Sequence, residues 1–208
     1  MRGIKAKRIS ARGFAFVSAF ACQIALMLLT ACCGGKPFNV KARPEPPPAV
    51  AGAVTESQGV SIQAEAVTDE DYLYEVFDAN LIMAGILPVR LKIENRSGEA
   101  LNLKRVKFEV VSSGRPLKRL DASGAFKRLI SFYGISTYSK EGYRESRGDL
   151  SSYALLVDAP LAQGETRQGL LFFRVPDDQI RQSGLTLLVK KLKPGRSDAE
   201  TPVELRLN

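Results

Sequence analysis

The 208-residue chain contains no histidine and no tryptophan, and its three cysteines all lie within the first 33 residues. Because Ser-His-Asp and Cys-His catalysis needs an imidazole, the missing histidine excludes both, together with every zinc site that uses a histidine ligand. No disulfide can form within residues 57–208, so stability there must come from a hydrophobic core. We therefore expect no catalytic residue, no metal site and no cofactor.

Residues 1–31 have the pattern of an export signal. An apolar run of 18 residues over 14–31 follows a basic start, and no acidic residue precedes Cys32. This order of segments is typical of a secretory signal peptide. An uncleaved membrane anchor is the alternative, weakened by the shortness of the run and by Gln23 within it. The basic start contains Arg2, Lys5, Lys7, Arg8 and Arg12.

The apolar run ends in Leu29-Thr30-Ala31-Cys32. This ending resembles the lipobox of bacterial lipoproteins, in which Leu, a small residue and Ala or Gly precede a cysteine. The resemblance implies that Cys32 receives diacylglycerol and palmitate-type acyl chains, becomes the first mature residue and anchors the protein in the cell envelope. Cys33 fits less well as the acceptor, because Cys32 would then precede it. Since no Asp follows Cys32, the resemblance favours the outer membrane in a host that has one.

Removal of the signal changes the meaning of the net charge. The full chain carries +8, but the mature chain keeps 25 cations against 22 anions, a net charge of +3. The high pI is therefore mostly a targeting feature and gives little support for nucleic-acid binding.

The composition divides the chain into a signal peptide (1–31), a Pro/Ala/Gly-rich linker (32–56) and a single domain (57–208). The linker is expected to be disordered and extended, because its prolines and few large apolar residues cannot form a core. At about 3 Å per residue, some 20 residues could hold the domain about 50–60 Å from the membrane. The roughly 150 residues that follow are enough for one hydrophobic core.

Short runs of alternating apolar and polar residues predict a mainly β domain. Leu87, Val89, Leu91 and Ile93 alternate with polar residues, and a second run places Val106, Phe108 and Val110 inward. A period of two is typical of half-buried strands, and several short strands between polar turns predict an antiparallel sandwich. Further strands are predicted over 60–66, 169–175, 185–189 and 203–207.

Three stretches, 86–102, 160–165 and 169–173, resemble the immunoglobulin-like β-sandwiches of bacterial envelope proteins. They share a strand, an Asn-containing turn and a second strand, followed later by Leu-x-x-Gly-Glu and an apolar strand that begins with Gly. The resemblance implies an antiparallel immunoglobulin-like sandwich and, only loosely, a scaffold or binding role.

One or two short helices are expected beside the strands. Residues 69–83 could hold a short helix or an extended excursion. A second helix is predicted after Ser123, a plausible N-cap, because the apolar residues that follow have helical spacing. These are Phe126, Leu129, Ile130 and Tyr133.

The polar stretch 134–152 is predicted to be the longest loop, and loops of that length are often functional. Its aromatic and basic residues belong to types that are enriched where proteins bind partners, although they could instead pack the loop onto the domain. Arg147-Gly148-Asp149 also matches the tripeptide read by animal integrins, but a chance match in an ordinary turn is favoured. The possible contact residues are Tyr138, Lys140, Tyr143, Arg144 and Arg147.

Carboxylates cluster at 69–78, where a calcium site or a glycosidase pair is conceivable. An EF-hand loop that starts at Asp69 would need Gly and Glu where Tyr74 and Asn80 stand, so a solvated acidic face is favoured. Asp177-Asp178 is interpreted as part of a turn, and a metal site there is the less favoured alternative. The cluster contains Asp69, Glu70, Asp71, Glu75 and Asp78.

Together these features predict a lipid-anchored envelope protein that is not an enzyme and that binds or stabilises an envelope protein complex. A small-ligand-binding lipoprotein is the alternative, with a cavity between the sheets lined by Phe172, Phe173 and Tyr133. An envelope hydrolase that uses a serine or paired carboxylates is the least favoured hypothesis.

Overall fold

The computed structural model describes residues 35–176, 184–192 and 202–207. These residues form eight strands, three α-helices and a 3-10 turn at Leu103–Arg105. The strands are β1 (Ala53–Ser57), β2 (Val60–Ala66), β3 (Ile86–Asn95), β4 (Lys107–Ser112), β5 (Arg115–Leu120), β6 (Thr166–Arg174), β7 (Leu185–Lys190) and β8 (Val203–Leu207). The helices are α1 (Glu70–Phe77), α2 (Ala122–Phe132) and α3 (Lys140–Ser152).

The strands form one antiparallel sheet in the order β1-β2-β3-β6-β5-β4-β7-β8. The sheet is nearly closed, because its two edge strands, β1 and β8, contact each other. Every strand predicted by alternation is present, and the mainly β, antiparallel fold class is confirmed.

The predicted two-sheet immunoglobulin-like sandwich is not confirmed, because β5 joins the two halves of the sheet. Arg115–Leu117 pairs with β4, whereas Lys118–Leu120 pairs with β6. A strand that changes partner along its length turns the sheet through a corner. Ser113 and Gly114, both at positive φ, make the tight turn between β4 and β5.

The stretches that carry the immunoglobulin-like resemblance lie together around β3 and β6. Asn95 is fully buried and its amide donates to the carbonyl oxygens of Glu99 and Leu161, at 2.8 and 2.9 Å. The backbone N–H of Gly164 donates to the carbonyl of Asn95. The Asn turn and the Gly-Glu turn therefore hold one end of the β3–β6 pair.

Both faces of the β3–β6 pair are covered. Phe172 and Phe173 are consecutive in β6 and point to opposite faces, yet both are buried. Apolar side chains of the other strands fill the inward face. On the outward face, the Arg90 guanidinium lies 5.3 Å from the ring centroid of Tyr72 in α1.

Two predictions about helices are corrected. The helix predicted after Ser123 is α2, but Asp121 is its N-cap and accepts a hydrogen bond from the N–H of Gly124. The stretch 134–152 is not a single loop, because α3 begins after the N-cap Ser139. The buried residues of α3 are four positions apart, but two of the three are Gly142 and Ser146. Because glycine and serine are not hydrophobic, this buried stripe gives no hydropathy signal.

The predicted disordered linker is also corrected, for residues 35–52. These residues, which we call the arm, contain no helix or strand, but they lie along the domain and bury Phe38 and Val50. β1 follows directly at Ala53, within the stretch assigned to the linker.

None of the helices in the described residues is long and apolar enough to cross a bilayer.

Phe172→Ala should lower the free energy of unfolding by about 3–5 kcal/mol, because a large side chain that is 1% exposed is removed from a packed core. Phe132→Ala is the matched control, since Phe132 is 48% exposed and its loss should cost less than about 1 kcal/mol. Urea unfolding of the detergent-solubilised protein measures both. Equal effects would contradict the packing described for β6.

Candidate functional site

The five predicted contact residues lie on or beside α3. Tyr138 precedes the N-cap, and Lys140, Tyr143, Arg144 and Arg147 are part of the helix. We call this set the α3 face. The residues predicted to share a loop therefore share one helix surface.

The structure brings three members of the α3 face into direct contact. The rings of Tyr138 and Tyr143 have centroids 5.4 Å apart, and the Arg147 guanidinium lies 5.9 Å from the Tyr143 centroid. Tyr143 also packs edge-to-face on Phe126 of α2, at 5.2 Å. Tyr143 thus anchors the cluster to the core, while Tyr138 and Arg147 stay accessible.

The charges of α3 are sorted into two rows. Lys140, Arg144 and Arg147 follow the i, i+4, i+7 spacing of one helix face. Glu145 and Asp149 lie on the neighbouring row and face Lys36 of the arm, at 3.0 and 3.7 Å. The hydrogen bond to Glu145 raises the pKa of Lys36 above its ordinary value.

One acidic residue lies beside the basic row. The Glu141 carboxylate is 2.7 Å from the Arg144 guanidinium, one turn along the helix. Both side chains are largely exposed, and such pairs contribute little to stability and are screened by salt. Arg144 is therefore able to exchange Glu141 for another anion at low cost.

The integrin-type tripeptide lies within α3 and not in a loop. Arg147 stacks over Tyr143, Gly148 is exposed, and the Asp149 carboxylate faces Lys36. The three residues have helical conformation.

The first part of the arm packs between α2 and α3. The Phe38 ring lies 6.0 Å from Phe126 and 5.8 Å from Tyr133, both edge-to-face. The Ser146 hydroxyl donates to the carbonyl of Phe38 at 2.7 Å, and the Ser139 N–H donates to the carbonyl of Gly35 at 3.3 Å.

Gly142 allows this approach of the arm. A Cβ at this position would lie 2.7 Å from the carbonyl oxygen of Gly35 and 2.9 Å from the Cα of Lys36. Any larger residue would therefore displace the arm or the helix. The glycine and serine stripe of α3 is the groove in which the arm lies.

The second part of the arm covers the outward face of β6. The Arg43 guanidinium donates to the carbonyls of Ser152 and Gln168, at 3.0 and 2.6 Å. The Gln168 amide donates to the carbonyl of Pro48 at 2.6 Å. The Tyr153 hydroxyl donates to the carbonyl of Lys41 at 3.0 Å, and its burial raises the pKa of the phenol.

A small cleft beneath the arm is lined in part by Arg90, whose guanidinium pairs with Glu65. These residues are directly opposite each other on β2 and β3 and form a hydrogen-bonded ion pair that is mostly buried. The second Glu65 oxygen accepts from the N–H of Ala51 in the arm at 2.7 Å. Both oxygens of the Glu65 carboxylate therefore have partners within the protein, which indicates that the ion pair has a structural role.

The acidic cluster at 69–78 has structural partners. Asp69 caps α1, and the Glu70 carboxylate accepts from the side chain of Asn80. Glu75 pairs with Lys41, and Asp78 accepts from the backbone of Asn39 in the arm. Within the described residues, no group of three or more possible ligands could hold a metal ion. Asp177-Asp178 lies outside these residues.

The residues proposed to line a ligand cavity lie in the hydrophobic core or pack against it. Phe172 and Phe173 are fully buried in the core. The Tyr133 hydroxyl accepts from the N–H of Asn80 at 2.8 Å, and burial raises the pKa of this phenol to about 12.

Two features were missed by sequence analysis. Phe132 at the end of α2 and Met83 after α1 are exposed apolar residues, and periodicity gave no reason to single them out. The docked arm was missed because Phe38 is its only large aromatic residue. The signal peptide and the predicted lipidation site Cys32 lie outside the described residues.

No protein-family profile matches the chain, and no curated protein matches it. Two solved structures from Bacillus subtilis are similar in part. YcdA, named as a candidate lipoprotein, is 11% identical with a TM-score of 0.40, and the match covers 76% of this chain but only 39% of YcdA. YjhA is 13% identical with a TM-score of 0.41, and the match covers 76% of this chain and 97% of YjhA. Likenesses this loose carry no argument about function.

Gly142→Ala should loosen the arm, because the added methyl group overlaps Gly35 and Lys36. Overpacking of this kind costs about 1–3 kcal/mol, and trypsin should therefore cleave after Lys41 faster. Lys41 is the one basic residue of the arm that no proline follows.

Gly148→Ala is the control on the same helix, since a Cβ there has no neighbour within 4 Å. It should leave cleavage after Lys41 unchanged. The same acceleration in both variants would show that the arm does not depend on its contact with Gly142.

Proposed function

We propose that this chain is a lipid-anchored protein of the bacterial cell envelope that binds an envelope component and catalyses no reaction. Its anchor is diacylglycerol on Cys32, and its location is the outer membrane in a host that has one. The export signal, the lipobox-like ending and the lack of histidine support this proposal.

The observation that carries the binding role is the α3 face. Tyr138 and Arg147 are accessible but are held in place by contacts with Tyr143, which packs on the core. Preorganised aromatic and arginine side chains lose little conformational entropy on binding, so they are efficient contact residues. Nucleic acid is not the proposed partner, because most of the net positive charge of the full chain lies in residues 1–31 and only +3 remains without them.

Cys32→Ala should abolish lipidation and the cleavage before residue 32, because the acceptor thiol is missing, so the apolar run 14–31 should stay attached. Mass spectrometry of the N-terminal region measures both effects. Cys33→Ala is the matched control and should remain lipidated and cleaved. A processed, lipidated Cys32→Ala protein would overturn the assignment of the anchor.

The binding surface is tested by amine footprinting of the full-length protein. In native membranes Lys140 should react with an acylating reagent more slowly than Lys104, an exposed lysine far along the chain from α3. After solubilisation in detergent the two rates should become similar. Equal rates in native membranes would mean that nothing covers the α3 face.

A further inference from the structure

We propose that the α3 face, with the adjoining end of α2, rests directly on the membrane that holds Cys32 and contacts its anionic phospholipid headgroups. This inference rests on the proposed function, since it takes the lipid anchor as given. It names the partner of the α3 face as the lipid surface itself.

The length of chain between the anchor and the domain sets the geometry. The Gly35 carbonyl accepts a hydrogen bond from the Ser139 N–H at the start of α3. Only three peptide units join Cys32 to Gly35, and even fully extended they span about 10–11 Å. The lipidated residue must therefore lie within that distance of Gly35, next to the first turn of α3.

A gap of this size leaves little room for a protein partner. It is about the diameter of one α-helix with its side chains, and a folded domain is several times larger. The 50–60 Å clearance expected from a free linker does not arise, because the arm turns back along the domain from Gly35 onward. The surface nearest the anchor is consequently nearest the bilayer.

The side chains at this end of the helices suit a membrane interface. Phe132, at the end of α2, is about half exposed, and Tyr138, just before α3, is 37% exposed. Aromatic side chains are enriched at the level of the lipid headgroups, where apolar rings and polar groups are both accommodated. Both residues lie within seven positions of Ser139, the partner of Gly35.

Basic side chains also lie on the proposed contact surface. Lys140, Arg144 and Arg147 form the basic row, and α2 adds the exposed Lys127 without any acidic residue in its sequence. Two of the α3 carboxylates are turned towards Lys36. Cations close to an anionic leaflet are attracted to it, and this attraction adds to the acyl anchor.

The missing tryptophan permits a direct test with single-tryptophan variants. Tyr138→Trp and Phe132→Trp place the probe on the proposed contact surface and conserve an aromatic ring. Val54→Trp is the control, because Val54 is 60% exposed on β1, which packs against β2 and β8. Each full-length lipidated protein is reconstituted into vesicles of phosphatidylglycerol and phosphatidylcholine, with and without dibrominated acyl chains.

We expect a blue shift and a loss of emission to the brominated chains at positions 138 and 132, and neither change at position 54. Replacing phosphatidylglycerol with phosphatidylcholine should weaken the quenching. Thermal unfolding of each variant confirms that the fold is kept, and either contact variant alone is sufficient for the test.

Three outcomes would count against these proposals, and they differ from one another. Equal, weak quenching at all three positions in protein that carries diacylglycerol would overturn the membrane contact and leave the anchor intact. Equal quenching in vesicles with and without phosphatidylglycerol would overturn the role of the basic row. Protein that carries no diacylglycerol on Cys32 would instead overturn the proposed function.

Discussion

Nine residue pairs join β3 to β6, from Ile86 opposite Arg174 to Glu94 opposite Thr166. This ladder lies at the centre of the fold because it is covered on both faces. The inward face is completed by the other strands of the curled sheet, and the outward face by α1 and the arm. A strand buried on both sides must be apolar at consecutive positions, which explains why Gly169–Phe173 is continuously apolar. α1 and the second part of the arm pack on this outward surface.

The arm and α3 depend on each other in the same way. Phe38 fills a space between Phe126 and Tyr133, and the glycine and serine stripe of α3 allows the backbone of the arm to come close. Without the arm, α3 would keep its core contacts through Tyr143 and Leu150 but would lose those made along its glycine and serine stripe. Small residues therefore do here what large apolar residues do elsewhere in the core, because close backbone approach brings many atoms into contact.

The sequence predicted the parts of the fold that alternate in hydropathy. β2, β3, β4, β7 and β8 each bury every second residue along much of their length, so a period of two was visible. β5 was missed because its Arg-Pro-Leu-Lys-Arg-Leu sequence buries a single side chain, and the single sheet was missed because β5 changes partner halfway. The arm and α3 were missed because their mutual contact is long-range and uses residues that are also typical of linkers. The hydropathy pattern of one segment does not show which other segment it packs against. The arm and α3 are buried largely by each other, so neither has a clear pattern of its own.

The five predicted contact residues lie together in the structure, although they lie on or beside a helix and not in a loop. Tyr138, Tyr143 and Arg147 were selected by residue type. That criterion does not depend on whether the residues lie in a loop or in a helix. What the sequence could not provide is their position relative to the proposed anchor, since a linker of this composition is expected to be extended and free. Docking of the arm brings Gly35 beside α3, and only three peptide units separate Gly35 from Cys32. The orientation that we propose rests on this covalent geometry, because a short connection limits which surface can lie beside a lipid on Cys32.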